Sequence, residues 1–290
     1  MIIRIATRKS PLALWQANHV YDLLRSVDSS LKVFLVPVQT KVEKDLSLPI
    51  SQFGGKGAFS KEVQELLLSS RADIAVHSAK DLEVESPQGL VISAYPKRGE
   101  PHDVLVGSKL EDLKEGAIVA TGSSRRKALL LERRPDLNIV ELRGNIDTRL
   151  KKLEKVDAIV MAGCALIRLN RTPEKLQELD PEWFIPQVGQ GALAVEARED
   201  DLQIQELLKA IDHDPTRKTV EAERSFLREL GGDCDLPAGS HAMRFGTEIV
   251  VRGFLADINA KIARAEIRGF EQQLPGRRLA RKLIEIHAEG

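Results

Sequence analysis

Residues 117–163 read AIVATGSSRRKALLLERRPDLNIVELRGNIDTRLKKLEKVDAIVMAG, and they alternate between strand-like and helix-like patterns. Short apolar segments predict strands, and the amphipathic segments between them predict helices. In chain order the predicted elements cover 117–122, 123–134, 138–144, 145–155 and 156–163. Strands that alternate with helices indicate parallel sheets with helices on both faces.

The same alternation occupies the N-terminal part of the chain. IIRIAT (2–7) predicts a strand, and PLALWQANHVYDLLRSV (11–27) predicts a helix with Pro11 in its first turn and Ser10 at the capping position. Further strands and one helix are predicted at 31–39, 59–70, 72–78, 90–96 and 103–107. We therefore expect two α/β domains that face each other, with ligands bound on loops at the carboxyl ends of strands.

The last third of the chain has a different pattern. Two helices are predicted at 201–211 and 215–230, a hairpin at 248–269 and an amphipathic helix at 276–288. These elements indicate a small α+β unit.

Composition narrows the class of function. The 290 residues include 43 basic and 43 acidic side chains, and this balance argues against a dedicated nucleic-acid binder.

No apolar run approaches the ~20 residues that a membrane span needs. Arg4, Arg8 and Lys9 precede any long apolar stretch, so we see no signal peptide and expect a cytoplasmic protein. The six histidines lack metal-ligand spacing, and we expect no metal site.

Cationic residues recur where predicted strands end. Residues 121–155 contain ten Lys or Arg and five Asp or Glu, an excess of positive charge within a neutral chain. The cations and a neighbouring serine at such positions are Arg8, Ser10, Lys56, Lys80, Arg125, Arg126, Arg143 and Arg149. They are either solvated surface residues or an anion site, and arginine suits carboxylates because its planar fork donates two hydrogen bonds.

Three further residues each allow two interpretations. Asp81 is either a helix cap or a group that balances positive charge and transfers a proton. Cys234, in a loop between glycines and Pro237, is either inert or a nucleophile. Cys164 lies in an apolar segment that predicts a strand, and we expect it to be a core residue.

Nine motifs in the correct order resemble the porphobilinogen deaminase family from end to end. The motifs are IATRKSPLALWQ (5–16), GGKGAFSKE (54–62), RADIAVHSAKD (71–81), SSRR (123–126), ERRPDL (132–137), LRGNIDTRL (142–150), DAIVMAGCAL (157–166), PQVGQGALAVEAR (186–198) and the Cys234 loop. The resemblance implies a transferase that joins four porphobilinogen molecules head to tail into the linear tetrapyrrole hydroxymethylbilane. The family builds the chain on a dipyrromethane cofactor, which the matching motif places on Cys234 as a thioether.

The resemblance also implies the roles of particular residues. Asp81 matches the catalytic aspartate. The matching cofactor-binding residues are Cys234, Ser10, Lys80, Asp81, Thr121, Ser123, Arg125, Arg126 and Arg143, and the substrate-binding residues are Arg8, Lys56, Arg149 and Arg168. Each pyrrole carries two carboxylates, an acetate and a propionate. Because a buried carboxylate without a partner is costly, binding a chain of pyrroles requires many cations.

The fold implied by the resemblance is α/β, with two periplasmic-binding-protein-like doubly wound domains and a small α+β C-terminal domain. The implied boundaries are 1–96 with 192–209, then 100–186, and finally 214–290 for the cofactor-attachment domain. The family expectation is a monomer that binds porphobilinogen and neither nucleic acid nor membrane.

Some positions depart from the family pattern, namely Val42, Glu43, Gln52 and Glu83. The glycine-rich segment 42–58 is long for an α/β connection, and we expect a mobile lid there. The two α/β lobes alone would also suit a non-catalytic binder of small anions. Asp81 and the Cys234 loop distinguish the two functions, because a binder needs neither. A regulator that binds nucleic acid lacks a recognisable DNA-binding module.

Overall fold

The structure is a computed structural model, and it describes residues 1–38, 60–232, 236–257 and 261–289. Lys56, Cys234 and the predicted lid at 42–58 lie outside the described residues. The chain forms two compact units. The first comprises Met1–Gly99 and Ala192–Arg217, and the second comprises Glu100–Gly191 and Lys218–Gly290.

The first unit contains a five-stranded sheet in the order β2-β1-β3-β10-β4. Its strands are β1 (Ile2–Arg8), β2 (Lys32–Val38), β3 (Ile74–Ser78), β4 (Leu90–Ala94) and β10 (Leu193–Arg198), and its helices are α1 (Pro11–Val27), α2 (Lys61–Leu68) and α6 (Leu202–Lys209). Ile3, Ile5 and Ile74 on the strands pack against Val20 and Leu24 of α1 to form its main core. The alternation of apolar residues in the sequence produces this core directly.

The second unit begins with another five-stranded sheet, in the order β7-β6-β8-β5-β9. Its strands are β5 (Asp103–Val106), β6 (Ile118–Ala120), β7 (Asn138–Val140), β8 (Ala158–Ala162) and β9 (Leu176–Leu179). The helices of this part are α3 (Ser124–Arg133), α4 (Ile146–Lys151) and α5 (Gly163–Arg168). Leu129 and Leu130 of α3 pack against Val119 and Val160 of the sheet.

The remainder of the second unit is an antiparallel sheet with two helices. The strands β11 (Ala238–Phe245), β12 (Glu248–Ala256) and β13 (Ile262–Gly269) pair in sequence order. Helices α7 (Asp214–Glu229) and α8 (Pro275–Glu289) complete this part. Phe254 of β12 belongs to the core cluster that also contains Phe184 and Leu105. The three-domain boundaries implied by the resemblance stay a prediction.

The predicted fold class is confirmed, and three details of the sequence interpretation are corrected. The sheets are mixed rather than parallel, because β10 runs antiparallel to β3 and β4, and β5 runs antiparallel to β8 and β9. Neither β5 nor β10 enters its sheet through a strand–helix–strand crossover, which is the connection that enforces parallel pairing. Cys164 is buried as expected, but it lies on α5 because the preceding strand ends at Ala162. The segments that form β9 and β11 carried no strand prediction.

Within the described ranges, we find no helix that is both long enough and apolar enough to cross a bilayer.

Candidate active site

Arg8, Ser10, Asp81 and His77 line one cavity in the first unit. The cavity has a volume of about 50 Å³ and opens at the carboxyl ends of β1 and β3. That volume accommodates a few waters or a carboxylate group. The structure therefore brings together three of the predicted site residues where an α/β fold places its ligands.

Local sequence explains how these side chains are positioned. Ser10 caps α1, and its Oγ accepts a hydrogen bond from the backbone N–H of Ala13 at 3.3 Å. Lys80 and Asp81 lie on a 3-10 turn, Ala79–Asp81, that directly follows β3. The Ala79 N–H anchors this turn by donating to the Ala192 carbonyl at 3.0 Å. Asp81 thus sits on a braced turn at the end of a buried strand.

A buried polar cluster next to this cavity was missed by the sequence interpretation. Nε2 of His77 lies 3.1 Å from Oε2 of Glu196, and both side chains are almost fully buried. Glu196 also accepts hydrogen bonds from Gln64 at 2.9 Å and Ser86 at 3.2 Å. Glutamate within the apolar strand LAVEAR is the one signal in the sequence that could have exposed this cluster.

In the second unit, the predicted residues Thr121 and Ser123 shape the start of α3. Ser123 caps the helix, with its Oγ accepting from the N–H of Arg126 at 3.4 Å. Oγ1 of Thr121 accepts a hydrogen bond from the Ser123 N–H at 3.2 Å. The first turn of α3 is therefore fixed by two short side chains, and its N-terminal end favours negative charge.

Arg125 and Arg126 follow in that turn, and both are buried, with 2% and 7% of their surfaces exposed. Each pairs with Asp103, which the sequence interpretation did not single out. Nη2 of Arg125 lies 2.6 Å from one carboxylate oxygen, and Nη2 of Arg126 lies 2.7 Å from the other. Gln190 donates a third side-chain hydrogen bond to Asp103 at 3.0 Å. These arginines are thus not solvated surface residues.

The cluster of Asp103, Arg125 and Arg126 has an excess of positive charge. Burial alone would raise the pKa of Asp103, but the charges and hydrogen bonds of the two guanidinium groups outweigh it and hold that pKa far below its ordinary value. Burial also lowers the pKa of Arg125 despite the attraction of Asp103. Nε of Arg125 is buried without a hydrogen-bond partner among the described residues. The cluster contains one carboxylate and two guanidinium groups, and its net positive charge suits a further anion.

Three more predicted residues lie on the loops and helices of the second unit. Arg143 pairs with Glu141 at 2.6 Å in the loop after β7, which ends at Val140 rather than at Arg143 as the sequence pattern indicated. Arg149 on α4 donates to the Gly144 carbonyl at 2.7 Å. Arg168 ends α5 and donates to the Gly191 carbonyl at 2.7 Å. Burial lowers the pKa of Arg168.

Comparison with known proteins bears directly on this set of residues. The family model described as "Porphobilinogen deaminase, dipyromethane cofactor binding domain" matches residues 3–206. The model described as "Porphobilinogen deaminase, C-terminal domain" matches residues 217–285. The chain belongs to the porphobilinogen deaminase family. The resemblance found from the nine motifs is thereby confirmed.

Curated porphobilinogen deaminases resemble the chain over nearly its whole length. The protein from Nitratidesulfovibrio vulgaris (strain DSM 19637 / Miyazaki F) is 44% identical over 272 residues, which cover 91% of this chain and 86% of that one. The protein from Maridesulfovibrio salexigens is 45% identical over 262 residues, covering 89% and 85%. Among solved structures, the periplasmic sulfonate-binding protein SsuA from Methylobacillus flagellatus KT aligns with 78% of this chain and 68% of that one, at 18% identity and a TM-score of 0.42.

The described residues fit the cofactor of porphobilinogen deaminases. Dipyrromethane carries several carboxylates, and a group of that kind needs buried cations with unused hydrogen-bonding capacity. The excess positive charge around Asp103 and the unpartnered Nε of Arg125 meet that need.

Proposed function

We propose that the chain is a hydroxymethylbilane synthase, a transferase that deaminates four porphobilinogen molecules and joins them head to tail. The chain belongs to the family, and the observation that best supports this activity is a single cavity lined by Asp81, Arg8 and Ser10. A carboxylate beside cations at the carboxyl ends of β1 and β3 provides acid–base chemistry next to a site for a carboxylate arm of the substrate.

Asp81 acts on the charge that develops during the reaction. Loss of ammonia from porphobilinogen, and later attack on the resulting electrophile, both place positive charge on a pyrrole nitrogen. A carboxylate fixed near that nitrogen stabilises the charge without reorganising. The braced turn Ala79–Asp81 supplies such a fixed position.

The cations hold the carboxylates of substrate and cofactor. We assign Arg8, Lys56, Arg149 and Arg168 to substrate. To the dipyrromethane cofactor we assign Ser10, Lys80, Asp81, Thr121, Ser123, Arg125, Arg126 and Arg143, with Cys234 as the point of attachment. When bound, dipyrromethane supplies the free α-carbon to which the first porphobilinogen is added. Nη2 of Arg125 and Arg126 already bind Asp103, so we expect these two residues to act mainly through their excess charge and remaining N–H groups.

Reaction stoichiometry tests the activity. The purified holoenzyme, incubated with porphobilinogen, is expected to release four ammonia molecules for each hydroxymethylbilane formed. Asp81→Asn keeps the shape of the side chain, and it is expected to bind porphobilinogen while releasing little ammonia. An unchanged porphobilinogen pool with the wild-type protein would instead favour a non-catalytic binder of small anions.

We also propose that the enzyme is a cytoplasmic monomer that binds neither nucleic acid nor membrane. The equal number of acidic and basic residues supports the part of this proposal that concerns nucleic acid. Light scattering of the purified protein at several concentrations measures the oligomeric state, and a mass that rises with concentration would contradict the monomer.

A further inference from the structure

The pair formed by His77 and Glu196 lies beside the cavity of Asp81 and is not among the residues assigned to substrate or cofactor. His77 lies on β3 and Glu196 on the neighbouring antiparallel strand β10. Nε2 of His77 lies 3.1 Å from Oε2 of Glu196, and that nitrogen makes no other contact with a hydrogen-bonding group among the described residues. A titratable pair buried beside a reaction site is a candidate for proton chemistry.

Glu196 is an ionised group that its surroundings hold in place. Burial alone would raise the pKa of Glu196, but His77, Gln64 and Ser86 outweigh burial and place that pKa below its ordinary value. Within the ranges that the structure covers, no lysine or arginine is ion-paired with Glu196, and the imidazole of His77 is the titratable group that contacts its carboxylate. A fixed carboxylate at Nε2 keeps the proton of a neutral imidazole on that nitrogen, and it leaves Nδ1 as the basic nitrogen.

His77 and Asp81 line the same cavity of about 50 Å³. That volume holds a small number of waters among polar partners, which here include Arg8, Ser10 and Ser78. The cavity therefore offers room for water between the two residues, Asp81 and His77, that line it.

We propose that His77, oriented by Glu196, receives the proton that each condensation liberates at Asp81. The inference rests on the proposed function. In each condensation the C–N bond of the protonated aminomethyl group of porphobilinogen breaks, its electron pair leaves with ammonia, and a C–C bond forms to the accepting pyrrole carbon. The C–H bond at that carbon then breaks, its electrons return to the ring, and its proton passes to Asp81. Cavity water carries the proton on to Nδ1 of His77, and the released ammonia finally takes it up as ammonium.

Substitution of His77 separates a proton relay from a structural role. We expect His77→Gln to lower kcat by roughly 10²-fold, the lower end of the range for general acid–base groups, with KM nearly unchanged. Thermal melting should fall, because the buried carboxylate of Glu196 loses its contact with His77. We therefore measure kcat well below the melting temperature, on protein that still carries dipyrromethane on Cys234 by intact mass. The matched control is His287→Gln on α8, where the imidazole hydrogen-bonds the Leu255 carbonyl and no turnover effect is expected. Wild-type kcat in His77→Gln would overturn the proposal.

Chemical rescue gives a readout that packing cannot mimic. His77→Gly leaves a space beside Glu196, and added imidazole is expected to restore turnover in a saturable manner. No rescue of a folded, cofactor-loaded His77→Gly protein would count against the relay. If wild-type protein also fails to consume porphobilinogen, the proposed function fails. If wild type turns over and rescue is absent, the relay alone fails.

A measurement on the wild-type holoenzyme covers the case in which variants do not fold. Nitrogen-15 NMR of the His77 ring is expected to show a protonated Nε2 and an unprotonated Nδ1 in the resting enzyme. The opposite tautomer would overturn the proposal, because Nδ1 could not then accept a proton.

Discussion

Replacing Asp103 by asparagine removes the carboxylate that two buried guanidinium groups share. Asp103 is fully buried and receives Nη2 of Arg125 at 2.6 Å and Nη2 of Arg126 at 2.7 Å. In Asp103→Asn the two buried guanidinium groups lose the carboxylate that they share, and one of its two oxygens becomes an amide group that donates. Breaking a buried ion pair from one side costs about 3–5 kcal/mol.

That cost converts to a measurable shift in melting temperature. At ~2–4 °C per kcal/mol for domains of 150–250 residues, the expected loss is roughly 6–20 °C. Differential scanning calorimetry of the variant and the wild type, with identical cofactor content confirmed by mass, measures it. The matched control is Asp147→Asn, which breaks the exposed Arg171–Asp147 pair in the same unit and is expected to melt with the wild type. If Asp103→Asn melted together with this control, Asp103 would not stabilise the two arginines.

The remaining predictions concern turnover, chain elongation and acid stability. Asp81→Asn is expected to keep dipyrromethane on Cys234 while turnover falls by roughly 10²–10⁴-fold, measured by porphobilinogen consumption; normal turnover would make Asp81 a structural residue. Arg143→Leu removes a cation proposed to bind carboxylates, and mass spectrometry should show enzyme stalled at particular chain lengths rather than a uniform loss of all complexes. Folding lowers the pKa values of Asp103 and Glu196, so their ionised forms stabilise the folded protein. This stabilisation is complete above the pKa of an unfolded carboxyl group, near ~4, and it is lost as the pH falls below that value. The urea midpoint should therefore decrease steadily from about pH 5 to pH 2, and a flat profile would contradict the assignment.

Local sequence predicted the features that depend on a few neighbouring residues. Ser10 and Ser123 were placed at helix starts from their position before apolar periodic segments, and both cap helices in the structure. The alternation of predicted strands and helices gave the fold class, because that pattern too is visible in short segments of the sequence. Cap chemistry and hydrophobic periodicity act within one or two turns, and the sequence displays them directly.

Features that join distant segments were missed. Asp103 is 22 residues from Arg125, and Glu196 is more than a hundred residues from His77. Neither pairing produces a recognisable pattern among residues that are close together in the sequence. Asp103 stands in the otherwise apolar strand DVLV, and Glu196 follows three buried apolar residues in the strand LAVEAR. A polar group buried in such a strand must find a partner. That partner becomes visible once the order and direction of the strands are known.

The intact mass of the purified protein tests the central claim most directly. A porphobilinogen deaminase isolated from a haem-producing host is expected to exceed its sequence mass by one dipyrromethane, with the added group on the tryptic peptide that contains Cys234. Cys234→Ser should lack the added mass, because a hydroxyl is a far weaker nucleophile than a thiolate, whereas Cys164→Ser should retain it. An unmodified mass with a free Cys234 thiol in active wild-type protein would contradict the account.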